Sequence, residues 1–115
     1  MRIKITIDIF SKTIFVHFVD NVAATYCDVG GTADVSRAEA VTYTPAPHAE
    51  THIILSASPT HEAIAHEVLH ATDDTLSAVG IHLHTGTEEV HAYTAGYITR
   101  CIYRYMSRHG IEAQI

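Results

Sequence analysis

Two histidines and a glutamate stand at a spacing that suits metal-assisted hydrolysis: His66-Glu67-Val68-Leu69-His70. In a helix, residues four apart lie one turn apart on one face, so both imidazoles can reach one tetrahedral ion. Glu67, a fraction of a turn round, can hold an ion-bound water and take its proton. Two imidazoles leave a catalytic zinc short of a protein ligand. Glu88 and Glu89 are candidates for it, because they open the next helical stretch beyond a connector long enough to reverse the chain. Thr85-Gly86-Thr87-Glu88 reads as a T-x-x-E capping box, which occupies Glu88 and leaves Glu89 free to turn inward. The bland alternative is that both glutamates are exposed, since acids suit a helix N-terminus, and that His82, His84 or His91 completes the site. Tyr93, one turn after Glu89, is either a group that polarises a scissile carbonyl or a buried, hydrogen-bonded core tyrosine. Asp73 and Asp74 continue the ligand face and could accept a free ring N–H.

Ten histidines in 115 residues raise the odds of such a motif arising by chance, to roughly 0.05, so its context matters. They are neither contiguous nor terminal. His82, His84 and His91 read as polar surface histidines or as substrate contacts near a metal, and His61 as a surface residue well round the wheel from His66. His17, His48, His52 and His109 carry no argument. Cys27 and Cys101 read as buried apolar residues.

The motif needs a helix, and the chain supplies one. Ser58-Pro59 reads as an N-cap with proline at the first helical position. Ile64, Val68 and Ala71 keep a helical rhythm to about Ala78, and Gly80 ends it. A last helix runs from about Thr87 to His109, with Arg104, Arg108 and Gly110 at its end. Before Ser58 the period is two. Ile3, Ile5, Ile7 and Ile9 alternate with polar residues, turn at Ser11-Lys12 and continue through Thr13–Val19 as a hairpin. Asn21–Arg37 reads as an irregular loop, Ala40–Thr44 as a further strand, and Thr51–Ala57 as a short β-prone run. The expectation is one α+β domain over residues 1–115: a small, mostly antiparallel sheet of three or four strands, with the active-site helix and a long C-terminal helix on one face.

Composition narrows the function. Hydrophobic residues are 47% and charged residues 17%, which excludes a disordered acidic tail. Seven Lys and Arg against thirteen Asp and Glu argue against a nucleic-acid or anionic-membrane partner. No apolar run is long enough to span a membrane, and two isolated cysteines imply a reducing, cytoplasmic setting.

His66–Asp74, H-E-V-L-H-A-T-D-D, resembles the active-site helix of the thermolysin-type zinc peptidases, the gluzincins, whose pattern is H-E-x-x-H-A-x-x-D. In that group a glutamate of the following helix completes the zinc site, and minigluzincins are members reduced to the catalytic core. The stretch T-E-E-V-H-A-Y-T-A-G-Y-I-T also resembles the second helix of small zincin-like proteins, mostly from phages or prophages. Where the group usually has Asn-Glu, this chain has Glu88-Glu89. The resemblance covers about Ser58–Met106. It implies a zincin-like fold with Zn2+ held by His66, His70 and Glu89, Glu67 as general base and Asp74 as a partner behind the ligands. It also implies Thr51–Ala57 as an edge strand that takes a peptide or protein substrate, against a plain core strand as the other reading. The setting would be a bacterial or phage-infected cell. Two functions compete: a zinc metallopeptidase, or a zincin-fold metal-binding protein without peptidase activity that binds a partner, such as a phage accessory protein. Oligomeric state is not legible in these residues.

Overall fold

The computed structural model describes every residue from Met1 to Ile115. In chain order the elements are β1 (Arg2–Ile7), β2 (Lys12–Val19), α1 (Val22–Asp28), β3 (Ala40–Tyr43), β4 (Thr51–Ser56), α2 (His61–Ser77) and α3 (Glu88–Arg108). The period switch near Ser58 therefore marks the passage from sheet to long helices, and the fold is α+β.

β1 and β2 form the expected antiparallel hairpin, with Ile5 opposite Ile14. A single 3-10 turn, Asp8–Phe10, joins them, and Ser11 closes it at φ 50. The sheet order is β1-β2-β4-β3. β4 pairs in parallel with β2 and antiparallel with β3, so two of the three pairings are antiparallel. β4 is thus an interior strand, and the sheet's free edges are β1 and β3. Of the two readings of Thr51–Ala57, the edge strand is overturned and the core strand is what forms. The physical reason is visible in Ile53-Ile54-Leu55, three consecutive apolar side chains with no exposed surface, buried on both faces of the sheet.

On one face Ile5, Ile14, Val16, Phe18, Ile53 and Leu55 meet Ile64, Val68 and Ala71 of α2 and Ile98, Ile102 and Met106 of α3. On the other face Ile54 packs with Val22 and Tyr26 of α1. The segment read as an irregular loop therefore contains a helix. It has too few apolar positions to announce itself, but Asn21 caps it by accepting from the Ala24 N–H at 3.0 Å, and burial of Val22 and Tyr26 fixes it.

α2 begins two residues later than the Ser58-Pro59 signal suggests. Thr60 is the N-cap, its Oγ1 accepting from the Ala63 N–H at 2.9 Å. The C-terminal tail pairs with the residues around this cap, where Gln114 N–H donates to Pro59 O and His61 N–H to Gln114 O, and Thr60 is extended. The N-cap of α3 is Thr87, with no side-chain cap bond, so the Thr85–Glu88 capping box does not form. The Thr87 hydroxyl instead donates to His82 O and accepts from the His84 N–H. No helix is long and apolar enough to cross a membrane.

Candidate metal centre

Ile64, Val68 and Ala71 of α2 pack in the core with the sheet and α3, and Thr75 and Leu76 further along are buried too. His66 and His70 lie about 160° round the helix from Val68, so both project away from the sheet. Their rings converge, Nε2 to Nε2, at 3.2 Å. Two imidazoles bound to one tetrahedral zinc stand about 3.3–3.4 Å apart at ordinary Zn–N lengths, so the pair fits two corners of such a site.

Glu67 is placed between this outer face and the core, and its side chain is buried. The Thr42 hydroxyl, on β3, donates to Glu67 Oε1 at 2.9 Å. Glu67 Oε2 lies 3.9 Å from His66 Nε2, which aims the second oxygen at the histidine pair and leaves room between them. One turn pair further along, the Thr44 hydroxyl is 2.8 Å from Asp74 Oδ2 and 2.7 Å from Thr51 Oγ1. Asp74 is therefore tied to the sheet rather than to a ring N–H of the pair, and Asp73 accepts from the Ser77 hydroxyl. Neither Thr42 nor Thr44 belongs to a motif in the sequence. Their signal is that residues two apart on a strand share a face, here the face turned to α2.

β3 and α2 enclose a trough. One part, about 350 Å³, is lined by Glu39, Ala40, Thr60, Glu62, His66 and Glu67. It adjoins a larger hollow of about 480 Å³ that reaches Asp20 and Asn21 at the start of α1. β3 is bonded only to β4, so its outer edge presents unpaired backbone N–H and C=O groups along this trough.

The remaining sequence candidates are not gathered here. No group of three or more His, Cys, Asp or Glu side chains converges on one point. Glu88 and Glu89 are both exposed at the first turn of α3. On the helical wheel Glu89 lies about 180° from Ile98 and so points off the sheet, to the same side as His66 and His70. The difference is one of level. His61 at the start of α2 touches Tyr103 near the end of α3, so the helices run antiparallel and Glu89 sits beside the last turn of α2. From His70 to Ser77 that is about 10 Å along the axis. Tyr93 is neither a core tyrosine nor at the histidine pair. It is 76% exposed and lines an apolar hollow with Ile7, Ile9 and Phe10 at the opposite edge of the sheet.

The other histidines divide. His82 and His84 are exposed on the connector, and His84 Nδ1 accepts from the Gly86 N–H. His61 is exposed but bonded, its Nδ1 2.6 Å from the Tyr103 hydroxyl. His91, expected at the surface, is buried on the inner face of α3. Its Nδ1 is 2.9 Å from Thr87 O, which can only accept, so Nδ1 carries the proton and Nε2 presents a buried lone pair without a partner. His17 and His52 stack on the outer face of the sheet with Nε2 and Nδ1 3.0 Å apart. Burial, then the nearby His52, Arg2 and N-terminus, push the His17 pKa down to about 4. Lys12, also buried, donates to Ala49 O; loss of solvent lowers its pKa, partly offset by the charge of Asp74.

No protein-family model, no curated protein and no solved structure matches this chain.

Proposed function

We propose that the chain is a metal-dependent peptide hydrolase of zincin type, working in the trough between β3 and α2. The observation that carries this reading is the approach of His66 Nε2 to His70 Nε2 at 3.2 Å with a buried, hydrogen-bonded Glu67 carboxylate beside them. His66 and His70 would hold Zn2+, and Glu89, which faces the same side one level further along α2, is the candidate for a third donor. Zinc held there supplies Lewis acidity for water and for a peptide carbonyl. The chain does the rest. Thr42 holds Glu67 by Oε1, so Oε2 is the free oxygen that takes a proton from water and returns it to the leaving amine. The strand offered to an extended substrate is β3, the free edge beside Glu67, in place of Thr51–Ser56.

A second reading has its own observation. Only two ligand side chains converge, which suits a metal-binding protein that holds a partner peptide in the trough without hydrolysing it. One variant separates the two. With zinc loaded and counted by mass spectrometry, Glu67→Gln should keep its metal and lose cleavage of a peptide library by about 10²- to 10⁴-fold. A wild-type protein that holds zinc yet cleaves nothing would select the second reading, and one that holds no zinc would remove both.

A further inference from the structure

A second groove lies at the other edge of the sheet, and the hydrolytic reading does not use it. Three of the seven basic residues line it, Lys4 on β1 and Arg104 and Arg108 on α3, all exposed, and Arg100 lies 5.7 Å from the ring of Tyr97 beside them. The groove, about 300 Å³, runs between the β1 backbone and the α3 stripe Tyr97, Cys101, Arg104, Arg108. The Tyr97 hydroxyl reaches Thr6 O, while Tyr105 stacks on Phe18, whose N–H donates to Met1 O. α3 therefore lies along the whole of β1, antiparallel to it.

The backbone of β1 is open on this side. Met1 O is bonded to Phe18 N, and pairing alternates along an antiparallel ladder, so Ile3, Ile5 and Ile7 bond to β2. Arg2, Lys4 and Thr6 then turn their N–H and C=O outward, and among these Thr6 O alone has a protein partner, Tyr97. Past Thr6 the groove runs into an almost wholly apolar hollow of about 250 Å³, where Ile9 is 84% and Tyr93 76% exposed.

We propose that this groove docks an extended acidic segment of a partner protein, which adds as a strand to β1 and seats an apolar side chain between Ile9 and Tyr93. Outward backbone groups supply strand pairing, and Lys4, Arg104 and Arg108 meet the partner's carboxylates. The charge pattern selects the occupant. A second copy of this chain would set Lys4 and Arg104 against like charges, and the row of unpaired strand donors and acceptors matches a polypeptide rather than a phosphate backbone. The net charge of -6 hides this basic stripe, beside which Asp8, just past β1 and close to Tyr97, is a single acidic neighbour.

The test is selection of a random-peptide display library on the full-length protein, followed by affinity measurement on the selected peptides. Enriched peptides are expected to be rich in Asp and Glu with an apolar residue near one end. Arg104→Glu with Arg108→Glu, both at exposed helical positions, should weaken them roughly tenfold or more. Lys4→Pro removes an outward N–H together with the Lys4 charge and should weaken them more than Lys4→Thr, which removes the charge alone, with the circular dichroism of each variant unchanged. The proposal is overturned if no peptide is enriched, if enriched peptides carry no acidic bias, or if the double charge reversal leaves their affinity intact. It is equally overturned if the stripe binds a single-stranded oligonucleotide and no acidic peptide, or if Arg104→Glu dissolves a dimer of this chain.

Discussion

Along β3 the neighbouring helix is α2, and the trough between them carries Glu39, Glu62, Glu67 and His66, with His70 3.2 Å from His66. Along β1 the neighbouring helix is α3, and that groove carries Lys4, Arg104, Arg108 and tyrosine. Both are the same construction, a free strand edge with a helix laid beside it. What differs is where the polar groups sit. On the β3 side a carboxylate is buried and held by Thr42, so it can be aimed and desolvated, as proton transfer requires. On the β1 side the charges are exposed and borne on long side chains, which suits attraction to a partner over chemistry on it.

The sharpest way to break this comparison is to show that α3 serves both edges. Glu89→Ala is expected to lower zinc affinity by roughly tenfold or more, the usual scale for losing part of a ligand shell, while Glu88→Ala leaves it near the wild-type value. Isothermal titration with zinc measures both. If neither variant changes affinity, α3 belongs to the β1 edge alone and the metal rests on α2.

The bond that holds Glu67 comes next. Thr42→Val keeps the shape of the β3 side chain but leaves Glu67 Oε1 buried without its donor. An unsatisfied buried acceptor costs about 1–3 kcal/mol, and kcat should fall by about tenfold while zinc content stays unchanged. Val at position 42 with wild-type kcat would show that Glu67 is positioned by something else. Nothing in the H-E-x-x-H spacing pointed to Thr42. Which strand lies beside Glu67 depends on sheet order, a long-range property, whereas the convergence of His66 and His70 is a local consequence of helix geometry and was legible at once. β4 did carry its own mark, since Ile53, Ile54 and Leu55 leave no polar side for an edge. α1 and the burial of His91 were illegible for the same reason as Thr42: tertiary contacts decide both.

Between the two edges, on the outer face, sit His17 and His52. The folded protein holds His17 near pKa 4 against 6.5 for the free side chain. A chain that binds a proton more readily when unfolded loses stability as pH falls, so this contribution is complete above about pH 6.5 and fades towards pH 4. His52 shifts in the same direction, by burial first, so the pair acts together. The melting midpoint is expected to drop across that window, and His17→Gln should flatten the drop. Equal slopes in the two proteins would mean that the acid sensitivity lies elsewhere. Because β2 pairs with β4 through this region, acid should loosen both edges at once.

The smallest expected effect concerns where α2 begins. Ser58-Pro59 is the stronger cap signal in the sequence, yet the C-terminal tail bonds to Pro59 O, and Thr60 does the capping. Thr60→Ala should therefore cost about 1 kcal/mol, since the Ala63 N–H loses its partner, and lower the melting midpoint by a few degrees. Ser58→Ala should cost almost nothing, because its side chain makes no cap bond. The β1 edge offers the internal control: α2 takes no part in that groove, so neither variant should change the affinity of a peptide bound there. A loss of stability in the Ser58 variant equal to that in the Thr60 variant would move the helix start back two residues.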